Sequence, residues 1–256
     1  MVDIIIGWFS CGVTSAVAVK LAIEKYGDAV IPYYIHIDSA HHDNTRFIQE
    51  CELWYNREIK MIKSTKYVDQ FDVIAKTRYI NGPAGARCTA ELKKAPRREL
   101  QAQLNHPKQV FGFEFSQREI NRAIRFREQN PEADPLFPLI DAKLNKEDCM
   151  KLLQDAGIEL PVMYRLGFDN NNCIGCVKGG KHYWANIRLN FGTYFNKMAA
   201  LERQLGRTCI RNQWLDELDG KYSPEPMPDC GSFCDIQNAE IIDPLTLEVL
   251  EGRRSL

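Results

Sequence analysis

The stretch DIIIGWFSCGVTS, residues 3–15, decides the expected fold. It opens with an apolar run that does not alternate with polar residues, which is typical of a strand in a parallel sheet covered on both faces. A turn of small residues follows, and from Ser15 to Tyr26 apolar residues recur at helical spacing until Gly27 marks a stop. This order predicts a βα unit whose turn lies at the carboxyl end of the strand, where open α/β sheets bind their ligands.

Strand and helix patterns alternate further along the chain. Residues 30–37 and 59–64 have the pattern of strands, and residues 45–55 between them have that of a helix. A later strand pattern covers residues 109–113, and a helical pattern covers residues 145–156. We therefore expect an α/β fold with an open, mostly parallel, doubly wound sheet.

The character of the sequence changes near residue 165. Beyond it lie a polar run at 169–172, clustered cysteines and a proline-rich stretch at 222–229, a composition typical of loops. The expected organisation is an α/β domain over residues 1–165, followed by a cysteine-containing C-terminal extension of helices and loops over residues 166–256.

Composition and charge exclude several classes of protein. The 256 residues carry a net charge of -1 and are 45% hydrophobic, so the balance of charge gives no general attraction to nucleic acid or to a membrane surface. No signal peptide is apparent, and no apolar run approaches the roughly 20 residues of a membrane span. We expect a cytoplasmic protein without a membrane partner.

Nine cysteines are many for such a chain. Their odd number and the missing secretory signal argue against a disulfide framework and favour metal or redox chemistry. Three of them, Cys51, Cys149 and Cys209, are expected to be small buried hydrophobes.

The turn after the first strand is a candidate phosphate site. Small residues that lead into a helix present backbone N–H groups and the positive helix end to an anion. The turn is not a Walker loop, because the Gly-Lys-Ser/Thr ending is absent. The candidate phosphate-binding residues are Ser10, Cys11, Gly12, Val13, Thr14 and Ser15. The domain over residues 1–165 is thus expected to bind a phosphate-bearing ligand.

The chain resembles the phosphoadenosine phosphosulfate (PAPS) reductase family at this turn and at seven later segments in the same order. The turn resembles the PP-loop motif Ser-Gly-Gly-x-Asp-Ser, with Cys11 in place of the first Gly and Thr14 in place of the Asp. The later segments are residues 37–45, 87–96, 112–118, 138–141, 160–168, 175–176 and 229–231. The resemblance implies the adenine nucleotide alpha-hydrolase-like sheet, binding of an adenine nucleotide (ATP or PAPS) and sulfur chemistry.

The resemblance also implies roles for single residues. Asp38 ends the second strand, where an acid meets adenosine or ribose. Gly112 and Arg118 fall in the family's nucleotide-binding element, and Lys93 falls on the family's Lys as a catalytic candidate. Magnesium is a candidate cofactor beside the phosphates.

The cysteine spacing leaves several chemistries open. Cys173-x2-Cys176 fits two thiolates on one metal or cluster, a redox pair or half of a zinc knuckle. By resemblance to assimilatory adenylylsulfate reductases, Cys88, Cys173 and Cys176 match three ligands of a 4Fe-4S cluster. Either Cys230 or Cys234 supplies the fourth ligand, or one iron stays open. The segment 229–231 resembles the element that carries the catalytic thiol in PAPS reductases, so Cys230 is a candidate nucleophile as well as a candidate ligand.

Three functions follow from this resemblance. The first is ATP-dependent adenylation of an acceptor (a tRNA base, DNA or a small molecule) followed by sulfur transfer. The second is reduction of PAPS or adenylylsulfate by Cys230 with a thioredoxin-like reductant. The third is nucleotide binding without turnover, beside a structural cluster. A homodimer is a candidate assembly, and the sulfur donor is left open.

Overall fold

A computed structural model describes residues 4–82, 85–220 and 222–223. The strands are β1 (Ile5–Phe9), β2 (Val30–His36), β3 (Lys60–Lys63), β4 (Asn81–Gly82), β5 (Gly85–Ala86), β6 (Lys108–Val110) and β7 (Pro135–Leu136). The helices are α1 (Val13–Tyr26), α2 (Asn44–Tyr55), α3 (Gln70–Thr77), α4 (Arg87–Thr89), α5 (Ala95–Gln103), α6 (Gln117–Gln129), α7 (Pro138–Asp141), α8 (Lys146–Asp155), α9 (Val162–Arg165), α10 (Lys181–Asn190) and α11 (Gly192–Leu205).

Five strands form one parallel sheet in the order β3-β2-β1-β6-β7, and β4 pairs with β5 in a separate antiparallel hairpin. From β1 the chain winds outward through β2 and β3, and it then returns to the other side of β1 as β6. The order of strands therefore reverses between β1 and β6, and their carboxyl ends border a crevice. The expected open, doubly wound α/β sheet is confirmed.

Helices cover both faces of this sheet, which explains the unbroken apolar pattern of β1, whose five residues are all buried. On one face, α1, α2 and α8 pack against it around Val19, Phe47 and Leu153. On the other face, α5 and α6 cover an aromatic cluster that includes Phe111 and Phe126.

Local sequence signals determine where several helices begin and end. Helix α8 begins at a capping box, in which the Asn145 side chain accepts from the Asp148 amide and the Asp148 carboxylate accepts from the Asn145 amide. Helix α1 ends at Gly27, which has a φ of 58°. The predicted strand over residues 109–113 is shorter in the structure, because pairing with β1 ends at Val110.

A third apolar cluster joins residues from both sides of residue 165. Ile37, Phe71 and Leu92 pack together with Ile174 and Trp184, and helices α10 and α11 complete the cluster. The segment that follows α9 therefore packs directly against the elements around the carboxyl edge of the sheet. Among the described residues, no helix is both long and apolar enough to cross a membrane.

Candidate functional site

The turn between β1 and α1 is braced by a single hydroxyl. Ser15 Oγ accepts hydrogen bonds from the amide and the hydroxyl of Ser10, both at 3.0 Å, and donates to the Gly12 carbonyl at 2.9 Å. Ser10 is exposed, while Ser15 is buried. The turn is thus held in a fixed shape at the start of α1, where the first amides of a helix have no partner within that helix.

Cys11 occupies the position of a glycine in the PP-loop motif, and its backbone explains why glycine is favoured there. Its φ is 59°, in the left-handed region that side chains rarely adopt. The side chain is fully buried, and burial raises the pKa of the Cys11 thiol well above its usual range. Cys11 therefore fills space as a protonated thiol, and its surroundings do not activate it as a nucleophile.

Gly112, just beyond β6, packs directly against this turn. A Cβ atom at this position would lie 2.7 Å from both the Cα and the amide nitrogen of Ser15. Only glycine lets the two backbones come this close. The close approach fixes the start of α1 against β6, at the point where the strand order reverses.

A cleft opens beside the turn, at the carboxyl ends of β1 and β2. Its walls include the aromatic side chains Trp8, Phe9 and Tyr34, and burial raises the pKa of Tyr34. The polar residues that line it are Ser10, Asn44, Lys93 and Asn171. Apolar walls with few polar groups are typical of a pocket for a flat organic ring.

A second, smaller pocket is lined by the three predicted cysteines. Cys88, Cys173 and Cys176 line it together, and its other lining residues are Ile37, Gln70, Thr89, Leu92 and Lys93. Three residues line both this cysteine pocket and the cleft: Ile37, Lys93 and Cys173. Lys93 lies in a π-helical turn, Ala90–Lys94, between α4 and α5, and such turns frequently occur at functional sites.

Residues 4–180 match the phosphoadenosine phosphosulfate reductase domain family. The chain belongs to this family. A crystal structure of phosphoadenylyl-sulfate (PAPS) reductase from Candida auris, a phosphate complex, is similar at 11% identity and a TM-score of 0.46, over 64% of this chain and 77% of that chain. No curated protein sequence matches the chain.

Membership of the PAPS reductase family confirms the resemblance inferred from the ordered motifs. The matched range includes the turn at residues 10–15, Lys93, Cys88, Cys173 and Cys176. It ends before residues 229–231, where Cys230 lies; Cys230 and Cys234 are outside the described residues.

Two predicted nucleotide contacts lie away from the cleft lining. Asp38 is exposed at the end of β2, where its carboxylate lies 3.3 Å from His36 Nε2. Arg118 is exposed in the first turn of α6. Among the described residues, Asn44 and Asn171 supply polar groups at the cleft instead.

The loop between Cys173 and Cys176 is organised by the phenol of Tyr183. The Tyr183 hydroxyl accepts from the amides of Gly175 at 3.0 Å and Cys176 at 2.8 Å, and it donates to the Cys173 carbonyl at 2.9 Å. Burial raises the pKa of Tyr183, so the hydroxyl keeps the proton that it donates. From α3, Gln70 Nε2 donates to the Ile174 carbonyl at 2.7 Å.

The donor set of the cysteine pocket has the chemistry of an iron–sulfur or zinc site, because thiolates are the soft ligands that these centres prefer. Within residues 4–82, 85–220 and 222–223, no group of three or more His, Cys, Asp or Glu side chains is arranged to hold a metal ion. The seven cysteines in this part of the chain form no disulfide with one another. The thiols are therefore gathered into one pocket without being in a coordinating arrangement.

Proposed function

We propose that this protein is an adenine-nucleotide-binding PP-loop enzyme of sulfur metabolism, which adenylates an acceptor with ATP and then transfers sulfur to it. One observation carries the proposal: the cleft beside the PP-loop turn and the cysteine pocket share Lys93 and Cys173. A nucleotide in the cleft would lie next to the thiols, as a reaction that joins adenylate chemistry to sulfur chemistry requires.

The turn and its neighbours suit the first half of this reaction. The phosphates would lie against residues 10–15 and the start of α1, and the base would lie between the apolar walls of the cleft. An acceptor oxygen attacks the α-phosphorus, the bond to the bridging oxygen breaks, and pyrophosphate leaves. Lys93 would offset the charge that develops on the phosphates. Magnesium would accompany the triphosphate, whose oxygens are hard ligands.

The cysteine pocket suits the second half. A sulfur nucleophile from this pocket attacks the adenylated carbon of the acceptor, and AMP leaves with the oxygen. Cys88, Cys173 and Cys176 would hold a 4Fe-4S cluster once their side chains turned into a coordinating arrangement, and the cluster would supply iron–sulfur chemistry to this pocket. The acceptor would be tRNA, DNA or a small molecule.

Reduction of PAPS or adenylylsulfate is the second candidate, and the sequence Asp229-Cys230-Gly231 favours it. In that reaction the Cys230 thiolate would attack the sulfate sulfur and displace the nucleotide phosphate, which leaves a thiosulfonate on the enzyme. A thioredoxin-like dithiol would then reduce it, releasing sulfite and forming the reductant's disulfide.

Calorimetric titration of anaerobically prepared protein with ATP, PAPS and adenylylsulfate separates these reactions. We expect ATP to bind more tightly than either sulfonucleotide, and Lys93→Ala to weaken ATP binding by about 10-fold or more, because a charge-assisted contact to phosphate is lost. Tighter binding of PAPS or adenylylsulfate than of ATP would indicate the reductase reaction. Tight ATP binding without pyrophosphate release in the presence of tRNA, DNA or small-molecule oxygen acceptors would indicate binding without turnover.

Iron analysis tests the cluster separately. Anaerobically purified protein should be brown and contain iron, and Cys88→Ala, Cys173→Ala or Cys176→Ala should each lose it. Cys149→Ala is the matched control, because Cys149, on α8, is buried in the core and does not line the cysteine pocket. Colourless wild-type protein from iron-replete, oxygen-free cells would remove the cluster from the proposal.

A further inference from the structure

The segment that carries the loop between Cys173 and Cys176 (the cysteine loop) and helices α10 and α11 is basic. Between Asp169 and Glu202 the sequence holds four Lys or Arg residues and no Asp or Glu. Because the net charge of the whole chain is -1, the rest of the chain carries an excess of acids. Positive charge is therefore concentrated in this segment. The four residues, called the basic cluster below, are Lys178, Lys181, Arg188 and Lys197.

Lys178 and Lys181 border the C-terminal side of the cysteine loop. The Gly179 amide between them donates to the Cys176 carbonyl at 3.0 Å, and a Cβ at Gly179 would overlap the Tyr183 ring. The chain therefore turns tightly from the cysteine loop into α10, whose Tyr183 hydroxyl holds that loop. This turn keeps both lysines next to the cysteine pocket.

The basic cluster extends from the cysteine loop over α10 and α11. Lys197 Nζ lies over the Phe71 ring, 4.5 Å from its centroid, and a Cβ at Gly175, in the cysteine loop, would lie 3.0 Å from the same ring. On α10, Arg188 follows Lys181 by two helical turns, so it lies on the same helix face about 10 Å farther along the axis. Both Arg188 and Lys197 are exposed.

Part of this charge meets groups of the protein itself. Lys197 Nζ lies 3.5 Å from the Asp69 carboxylate, and Arg188 Nη1 donates to the Leu218 carbonyl at 2.7 Å. A carbonyl is neutral and removes no charge, and an ion pair at the surface contributes little net free energy. The segment therefore keeps a positive charge that is available to a partner in solution.

We infer that the basic cluster binds the phosphodiester backbone of a nucleic acid, so that the acceptor of the proposed sulfur transfer is a nucleic acid and not a small molecule. Lys and Arg side chains spaced along a surface contact successive phosphates. A small acceptor in the cysteine pocket would not reach charges that lie two helical turns away. The inference rests on the proposed function, because that function places the reaction of the acceptor beside this pocket.

The buried face of α10 indicates what kind of contact the nucleic acid makes. Tyr183 and Trp184 are buried in the third apolar cluster, so neither ring is available to stack on a base. The same burial leaves these rings unable to enter a membrane, the other large anionic surface that a basic helix could meet. We therefore expect binding that depends on charge and salt, with little dependence on base sequence.

Fluorescence anisotropy of two labelled probes, a short RNA hairpin and a short DNA duplex, tests this inference on the full chain. We expect the wild type to bind at least one probe, and the tighter one shows whether the acceptor is RNA or DNA. Lys178→Glu combined with Lys181→Glu should weaken binding by about 10-fold or more. It should also reduce the slope of log affinity against log salt concentration by about 2, because two phosphate contacts are lost.

Lys108→Glu combined with Lys151→Glu is the matched control. It makes the same change in net charge on β6 and α8, and neither residue lines the cysteine pocket. Calorimetry with ATP on every variant shows separately whether the nucleotide cleft is intact. Equal losses in the two double variants, or a wild type that binds ATP but neither probe, would overturn the inference and leave the proposed function standing. A wild type that binds a probe but not ATP would overturn the proposed function and, with it, the role of the nucleic acid as acceptor.

Discussion

At the scale of single residues, Gly112 controls how closely the segment after β6 approaches the start of α1. Gly112→Ala would place a Cβ 2.7 Å from the backbone of Ser15, so β6 and the start of α1 must move apart. We expect a loss of about 1–3 kcal/mol in the free energy of unfolding, as for other overpacked sites, together with weaker nucleotide binding. Urea unfolding and calorimetry measure the two effects.

Gly192→Ala is the matched control for this change. A Cβ at Gly192, the first residue of α11, meets no atom within 4 Å, so alanine should be neutral or slightly stabilising. Equal urea midpoints for the two variants would contradict the close approach at Gly112.

Some site residues could be predicted from the sequence and others could not. The PP-loop turn, Lys93 and the three pocket cysteines each belong to a short motif with its own chemistry. Asn171 and Tyr183 have no such motif, because their roles depend on partners set by folding: Asn171 bonds to Cys11, 160 positions earlier. The polar run at 169–172 was the available signal for Asn171, and it indicated only a loop.

At the scale of elements, helix α10 holds the cysteine loop through Tyr183. Tyr183→Phe would remove the acceptor of the Gly175 and Cys176 amides, two buried donors. We expect a loss of roughly 2–6 kcal/mol in unfolding free energy, since each of the two stranded buried amides costs about 1–3 kcal/mol. The cysteine loop should also exchange its amide hydrogens faster.

Tyr194→Phe is the comparison for Tyr183→Phe. The Tyr194 ring packs on Phe71 at the edge of the same apolar cluster, with centroids 5.9 Å apart. The unfolding free energy of Tyr194→Phe should lie within about 1 kcal/mol of the wild-type value, as for most substitutions away from such networks. Similar losses in both variants would show that the Tyr183 hydroxyl contributes no more than another tyrosine hydroxyl of the same cluster, which would contradict its role in holding the cysteine loop.

Asp43 links the segment before α2 to the start of α9, and this link depends on pH. Burial alone would raise the pKa of Asp43, but hydrogen bonds from Arg46 and the Val162 amide lower it below its usual range. The pKa of Asp43 is therefore lower in the folded protein than in the unfolded chain, where it is about 3.9. The charged carboxylate stabilises the folded protein above that pH, and this stabilisation is lost as the pH falls through the pKa of the folded state.

Asp43→Asn should therefore be less stable than the wild type at pH 7, by about 1–3 kcal/mol, because two charge-assisted contacts are weakened. The difference should shrink as the pH falls below about 4 and nearly vanish near pH 2. Urea unfolding at a series of pH values measures it. A difference that is constant from pH 7 to pH 2 would show that the charge of Asp43 does not contribute.

Prediction from sequence works for elements with local signals. The capping box of α8 and the glycine stop of α1 lie within a few residues of the ends they define. Strand β7, Pro135–Leu136, has too few residues to form a periodic pattern. Its place at the sheet edge depends on pairing with β6, which no local pattern contains.

At the scale of the whole molecule, the parallel sheet brings together functional residues that lie far apart in the sequence. The PP-loop turn follows β1, Lys93 lies between β5 and β6, and Cys173 comes after α9. The alternation of strands and helices predicts that ligands bind at the carboxyl edge. The junction of the cleft with the cysteine pocket depends on long-range packing in the cluster that includes Ile37, Leu92 and Ile174, and so could not be predicted.

Hydrogen–deuterium exchange with and without saturating ATP tests the central claim most directly: that an adenine nucleotide binds in the cleft between the PP-loop turn and Lys93. We predict slower exchange in peptides that contain residues 10–16, 35–44 and 87–95, and unchanged exchange in α11. Exchange that stays the same in all three segments, although calorimetry shows ATP binding, would contradict this account.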